Sequence, residues 1–314
     1  MVFYLAPMEG LTGYIYRNAF NMYFHGTDKF FSPFICANQS RSFKTKELKD
    51  ILPEHNQGLV LIPQLLSNNA DDFIFMVNKL KQMGYDEINF NLGCPSMTVV
   101  SRGRGSGFLA KRDDLDKFLD RAYSVSTVKI SIKTRIGKDK PEEFYDLIGI
   151  FNKYPVHELI IHPRIQKDMY GNKPDMKVFK DALSLSINPV CYNGDIFTVK
   201  DHRKFAADFH SVDKVMIGRG SIANPGLIEN IKDDIRLDKD KLKCFHDKIY
   251  QDYIEALPGE KPVLFRMKEL WSHMICVFTD NVKYDKRIKK SESFSDYEEA
   301  ITGLFNEQDI LTGL

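Results

Sequence analysis

The chain has 314 residues, 43% of them hydrophobic, with 44 Lys and Arg against 43 Asp and Glu. That is enough apolar side chain for a large core plus a small second domain, and a net charge of +1 excludes a globally basic binder of polyanions, so any such contact has to be a local patch. The five cysteines, Cys36, Cys94, Cys191, Cys244 and Cys276, are scattered without CxxC spacing, which speaks against a zinc or redox motif, and no apolar run reaches bilayer length.

Met1 runs directly into the apolar stretch Val2 to Ala6 with no cationic leader, so a reducing cytoplasm and no membrane are expected. From there β-rich runs alternate with helix-period runs. The strand candidates are Val2 to Ala6, Phe30 to Ala37, Gly58 to Leu65, Glu87 to Leu92, Lys129 to Thr134, Glu158 to His162, Pro189 to Tyr192 and Lys214 to Ile217. Between them Phe73, Met76, Val77 and Leu80, and then Leu115, Phe118, Leu119 and Ala122, recur at the spacing of one helix face. Eight such units ending near residue 235 predict an α/β fold, a TIM (β/α)8 barrel, over residues 1–236. Beyond the charged stretch Asp233 to Lys243 the strand signal ends. Leu242, Phe245, Ile249 and Tyr253 open a helical stripe, so residues 237–314 are expected to form a C-terminal all-helical domain.

Reactive groups of this fold come from the C-terminal ends of the strands. Those ends read Ala6-Pro7-Met8-Glu9-Gly10, Gln64, Asn89-Phe90-Asn91-Leu92-Gly93-Cys94-Pro95, Lys133-Thr134-Arg135, His162-Pro163-Arg164, Asn193-Gly194-Asp195 and Gly218-Arg219-Gly220. Gly194, Gly218 and Gly220 permit close backbone approach and Arg219 adds charge, in the two loops where this fold commonly holds a phosphate. Lys133 ends its strand, where an inward ammonium needs an anionic partner such as a reduced flavin ring; Gln64 and Asn91 offer neutral hydrogen bonds to the same ring. Cys94, followed by Arg102-Gly103-Arg104-Gly105-Ser106-Gly107, is placed to donate a proton. Cys191, Cys244 and Cys276 are expected to be buried small hydrophobes, and Cys36 stays undecided.

The segments APMEG at Ala6 to Gly10, PQLL at Pro63 to Leu66, NLGCPS at Asn91 to Ser96, IKTRIG at Ile132 to Gly137, IHPR at Ile161 to Arg164, NGD at Asn193 to Asp195 and IGRG at Ile217 to Gly220 occur in order across the barrel. In these the chain closely resembles the tRNA-dihydrouridine synthases, with a looser likeness in the helical region. The resemblance implies FMN as cofactor, NADPH as reductant and a uridine of folded RNA, chiefly tRNA, as substrate, reduced by hydride from the flavin and a proton from Cys94. It implies Pro7, Met8, Gln64, Lys133, His162, Asn193, Gly194, Asp195, Gly218 and Arg219 as cofactor contacts, and Asn91 and Arg164 near the substrate. Arg102, Arg104, Lys286 and Arg287 are further candidates for RNA contact. No metal is implied, and a monomer is expected. Gly13, Met97 and Ile165 depart from the common pattern and bear on the substrate loop. Two other readings are a flavin barrel acting on a free small molecule, such as a dihydropyrimidine, and a non-catalytic RNA-binding relative.

Overall fold

A computed structural model describes residues 1–37 and 39–312; the last two residues of the expected helical domain, Gly313 and Leu314, lie outside it. Its strands are β1 (Val2–Leu5), β2 (Lys29–Phe31), β3 (Ile35–Cys36), β4 (Leu61–Ile62), β5 (Gln64–Leu66), β6 (Glu87–Leu92), β7 (Lys129–Gly137), β8 (Leu159–Ile165), β9 (Val190–Tyr192) and β10 (Lys214–Ile217). All pairings with a recorded register are parallel. The order is β3-β5-β6-β7-β8-β9-β10-β1-β2-β4. Its two ends are pieces of neighbouring strands, because β2 and β3 form one interrupted strand and β4 and β5 another. The sheet therefore closes on itself as the expected eight-stranded barrel.

Both interruptions have the same cause. Pro33 and Pro63 have no N–H to give a neighbour, so each expected continuous strand splits in two. The gap is bridged locally: Ser32 Oγ accepts the Gln64 N–H at 3.0 Å, and the Pro63 carbonyl accepts the Asn89 N–H at 2.9 Å. Two strands run further than expected. β7 and β8 stay paired through Arg135 opposite His162 and Gly137 opposite Ile165, so Lys133 and His162 lie inside strands rather than at their ends.

The helices are α1 (Tyr14–Tyr23), α2 (Thr45–Ile51), α3 (Ala70–Gln82), α4 (Met97–Val100), α5 (Arg112–Val125), α6 (Glu143–Phe151), α7 (Met176–Leu185), α8 (Val199–Asp208), α9 (Arg219–Ala223), α10 (Leu227–Asp233), α11 (Lys239–Ala256), α12 (Glu260–Met274), α13 (Val282–Lys290) and α14 (Phe294–Glu307). The stripes read from the sequence are the buried faces of α3 and α5. No described helix is long and apolar enough to cross a membrane.

The chain divides into two compact units. The first holds Met1–Pro7, Lys29–Asp195 and Phe209–Met216; the second holds Met8–Asp28, Ile196–Asp208 and the chain from Ile217 on. Inside the first, Tyr4, Ala6, Phe31, Ile62, Ile160, Cys191 and Met216 form an apolar layer within the barrel. Toward the N-terminal ends of the strands Glu158 pairs with Lys214 at 2.9 Å and accepts from Tyr4 Oη at 3.2 Å, and Glu87 pairs with Lys29 at 2.6 Å. These buried carboxylates each have a cation, as burial of charge demands.

In the second unit Phe245 of α11 packs its ring edge-on against Tyr16, Phe20 and Phe24, which ties α11 to α1 and its C-terminal flank. Tyr297 Oη lies 2.7 Å from His246 Nε2 and accepts from Trp271 Nε1 at 2.8 Å, a satisfied polar centre among the rings of α11, α12 and α14. Arg266 of α12 donates to the Gly10 carbonyl at 2.9 Å. Gly10 has a φ of +86°, which a side chain would strain, and a Cβ there would also press on Glu269 at 3.1 Å.

Candidate active site

Strand alternation points Asn89 and Asn91, Ser131, Lys133 and Arg135, His162 and Arg164, and Asn193 to the same side as the interior residues Ile160 and Cys191. The polar residues collect above the apolar layer, toward the C-terminal strand ends. Three of them form a directed ladder with Gln64 of β5. Asn91 Nδ2 donates to Gln64 Oε1 at 2.7 Å, Gln64 Nε2 to Asn89 Oδ1 at 2.7 Å, and Asn89 Nδ2 to Ser131 Oγ at 3.0 Å. Each amide is thereby oriented, and the remaining oxygen of Asn91 accepts the backbone N–H groups of Gly93 at 3.0 Å and Cys94 at 2.9 Å.

Cys94 is pinned from the other side too. Its carbonyl accepts from Ser106 N at 3.1 Å and Ser106 Oγ at 2.8 Å. The Gly-rich segment after it is thus a packing device: a Cβ on Gly107 would come within 2.7 Å of the Val100 carbonyl oxygen, so only glycine lets the chain pass so close. Arg104 Nε donates to Asn68 Oδ1 at 3.2 Å, while Arg102 is exposed and its carbonyl accepts from Asn68 Nδ2 at 3.0 Å.

Lys133 sits opposite Asn91 in the β6–β7 ladder and is half-buried. Burial, helped by the Arg135 charge, pulls its ammonium down to about 8, while the Cys191 and Cys94 thiols act in the opposite sense. No hydrogen bond or ion pair to its ammonium is found among the described residues. Arg135 is wholly engaged in structure: it donates to the carbonyls of Gly93 at 3.0 Å, Ile165 at 2.8 Å and Met169 at 2.6 Å, and lies over the Tyr170 ring at 5.5 Å.

Arg164 is turned inward, only 2% exposed. It grips Asp195 with both terminal nitrogens at 3.0 and 2.5 Å, donates from Nε to the Asn172 carbonyl at 2.5 Å, and lies 2.9 Å from His162 Nε2 through Nη1. Of the five guanidinium N–H groups four are used, so contact with a substrate would first require the Asp195 pair to open. Tyr170, 49% exposed, stacks on His162 at 6.2 Å. It lies in an irregular loop with no periodicity, and sequence reasoning had no signal for it.

Asn193 Nδ2 donates to the Met216 carbonyl at 2.8 Å. At Gly194 a Cβ would fall 2.0 Å from Tyr192 Oη, so a side chain there would collide with the protein's own ring. In the second unit the same holds for Gly220, where a Cβ would lie 1.9 Å from the Ile196 carbonyl oxygen. Arg219 there lies over Phe197 at 5.4 Å, Gly218 precedes α9, and the Met8 N–H is held by Thr12 Oγ1 at 2.8 Å. Also in this unit, Arg287 is paired with Glu299 at 2.7 Å, whereas Lys286 is exposed.

Of the cysteines, Cys191 is buried and its thiol is pushed well up by burial, but Cys244 and Cys276 are exposed, against expectation. On α11 the buried stripe passes through Leu242 and Phe245, and Cys244 falls off that face. Cys36 is half-buried. Among the described residues no group of three metal-ligating side chains occurs.

A closed parallel barrel whose mouth gathers an oriented amide ladder, a lysine with no partner among the described residues and a pinned cysteine is, with the family match that follows, that of a flavin-dependent oxidoreductase. The chain belongs to the dihydrouridine synthase family, whose model matches residues 4–310. It is 28% identical over 239 residues to tRNA-dihydrouridine synthase B of Pasteurella multocida strain Pm70, covering 75% of this chain and 70% of that one. It is 27% identical over 239 residues to the probable tRNA-dihydrouridine synthase 2 of Bacillus subtilis strain 168, covering 72% and 71%. Among solved structures, morphinone reductase superposes with a TM-score of 0.54 at 12% identity, covering 78% of this chain and 88% of that one, a likeness of fold.

Proposed function

We propose that this chain reduces a uridine of folded tRNA to dihydrouridine, with FMN as resident cofactor and NADPH as reductant. The observation that carries the reading is Lys133, a half-buried ammonium with no anion beside it among the described residues, set near a cysteine whose backbone is held on both sides. An isolated buried cation is costly, and an electron-rich ligand edge removes the cost. The donor set therefore fits a flavin: in the barrel unit Pro7, Gln64, Lys133, His162 and Asn193 would hold it. The roles of Met8, Gly194, Asp195, Gly218 and Arg219 toward the same cofactor rest on the resemblance alone.

A flavin held there and reduced by NADPH would supply hydride to carbon 6 of uracil. Cys94 gives its thiol proton to carbon 5, and the thiol is restored from solvent. Asn91 positions this donor through the Gly93 and Cys94 amides, and Lys133 balances negative charge beside it. The target base has to leave its stack to reach a barrel mouth, which costs least for a loop uridine. Arg102 and Arg104 beside that mouth, and Lys286 and Arg287 in the helical region 237–314, are the proposed RNA contacts. Action as a monomer in the cytoplasm accords with the reading.

The test has two parts. Purified protein is expected to be yellow, bleached by NADPH, and to form dihydrouridine in tRNA from cells lacking the gene. A protein that takes up no flavin overturns the reading, and a yellow, NADPH-bleached protein that leaves tRNA unchanged but reduces a free pyrimidine replaces it with a small-molecule reductase.

A further inference from the structure

The Asp195–Arg164–His162 row has a consequence for proton placement. A guanidinium has donors only, so the His162 nitrogen 2.9 Å from Arg164 Nη1 must accept, and Nε2 carries no proton. The ring proton is then on Nδ1. A second proton, which would make the imidazolium, would have to point from Nε2 into an Arg164 N–H. Arg164 cannot easily turn away, because Asp195 holds both its terminal nitrogens and the Asn172 carbonyl holds Nε. His162 is 8% and Arg164 2% exposed, so water does not compete for these bonds.

We propose that Asp195 and Arg164 are positioning residues that keep His162 a neutral imidazole protonated on Nδ1. Their place in catalysis rests on the flavin reading above, in which His162 meets the cofactor: the ring is presented as an N–H donor, never as a cation. The surroundings agree. Arg164, in contact with the ring, and Arg135, opposite His162 in the β7–β8 ladder, are both cations, and like charges oppose a second positive charge at His162. Asp195, beyond β9, is committed to Arg164. From the loop after β8, Asp168 is committed to the Ile165 N–H at 3.0 Å and to Asn172, and Tyr170 stacks on the ring. Asn193, toward β9, donates to the Met216 carbonyl.

The experiment is nitrogen NMR of histidine-labelled, flavin-free full-length protein, with His162 assigned from a His162→Gln spectrum. Expected for the parent is one tautomer, Nδ1–H, with no titration across the range where a free histidine changes charge, about pH 5 to 8. Asp195→Asn, close to isosteric, and Arg164→Met are expected to lose the single tautomer and let the ring titrate. If Arg164→Met does not fold, Asp195→Asn decides alone. A parent His162 that is protonated on Nε2 or titrates freely overturns the proposal. So does an Asp195→Asn protein that keeps the parent signal but cannot retain FMN, which would make Asp195 a cofactor contact. Because the tautomer is read without flavin, a protein that binds no flavin defeats the functional reading and leaves this result standing.

Discussion

Gly105 rests directly on Cys94: a Cβ on it would lie 2.8 Å from the Cys94 carbonyl oxygen and 3.1 Å from the Cys94 Cβ. Its φ of +56° already requires glycine or strain. Gly105→Ala is therefore expected to cost about 1 to 3 kcal/mol and to push the Cys94 segment away from Asn91. Dihydrouridine formation should fall while flavin content holds. Gly149→Ala is the control, since nothing lies within 4 Å of its Cβ and α6 is helical there; it should raise stability by about 0.5 to 1 kcal/mol. Thermal melts and turnover on unmodified tRNA check both.

Cys94→Ala should keep the flavin and its bleaching by NADPH yet slow dihydrouridine formation by about 10²- to 10⁴-fold, the usual contribution of a positioned acid. Replacement of the exposed Cys244 or Cys276 should leave the rate intact. Single-turnover kinetics separates the two half-reactions. A normal rate in Cys94→Ala would assign the proton to another group.

Much of this site is legible in the sequence because strand alternation decides which side chains share a face. Asn89 and Asn91, Ser131 and Lys133, and His162 and Arg164 stand two apart on their strands, and the structure gathers them as that period requires. The partner of a side chain is another matter. The resemblance implies Arg164 near the substrate, but that Asp195, 31 residues later in the chain, occupies its fork cannot be read from the sequence. Gly194 and Gly220 read in the sequence as glycines that let a phosphate approach; that each also makes room for a neighbouring protein atom is visible only in the structure. The Pro33 and Pro63 breaks follow from local chemistry and could have been read; the loop that carries Tyr170 has no period to read.

Lys133 gives a pH signature. Its folded value of about 8 is below the ordinary 10.5, so between these the folded protein binds fewer protons than the unfolded chain, and stability should rise with pH across that window. Below pH 8 both states are protonated and the slope from this group vanishes. Lys133→Met should remove the slope, measured as the urea midpoint of flavin-free protein at pH 8 and at 10.5. The same substitution should weaken flavin binding most below pH 8, where the parent lysine is charged. A slope that persists in Lys133→Met would place the titration elsewhere.

The basic stretch of α13 is less basic than its composition suggests. Lys283 faces Glu307 at 3.5 Å, Arg287 faces Glu299 at 2.7 Å, and Lys289 faces Asp285 at 2.6 Å. Lys286 and Lys290 are exposed with no ion pair among the described residues. Four residues apart, they share one side of the helix and line a recess of about 370 Å³ with Arg287, Ser291, Asp296 and Glu299. A phosphate contacted by Lys286 or Lys290 gains a full cation, whereas one contacted by Arg287 or Lys289 must compete with a carboxylate. If this helix grips RNA, Lys286→Ala with Lys290→Ala should weaken tRNA binding and flatten its salt dependence by about one to two units of slope, one per phosphate released. Arg287→Ala with Lys289→Ala should do less, although it removes the same formal charge. Flavin content and NADPH oxidation should stay constant in both. Affinities measured across a salt series decide: equal losses in the two pairs would mean that net charge alone matters, and no loss in either would make this helix face a solvated surface and send the search for the RNA contact to Arg102 and Arg104.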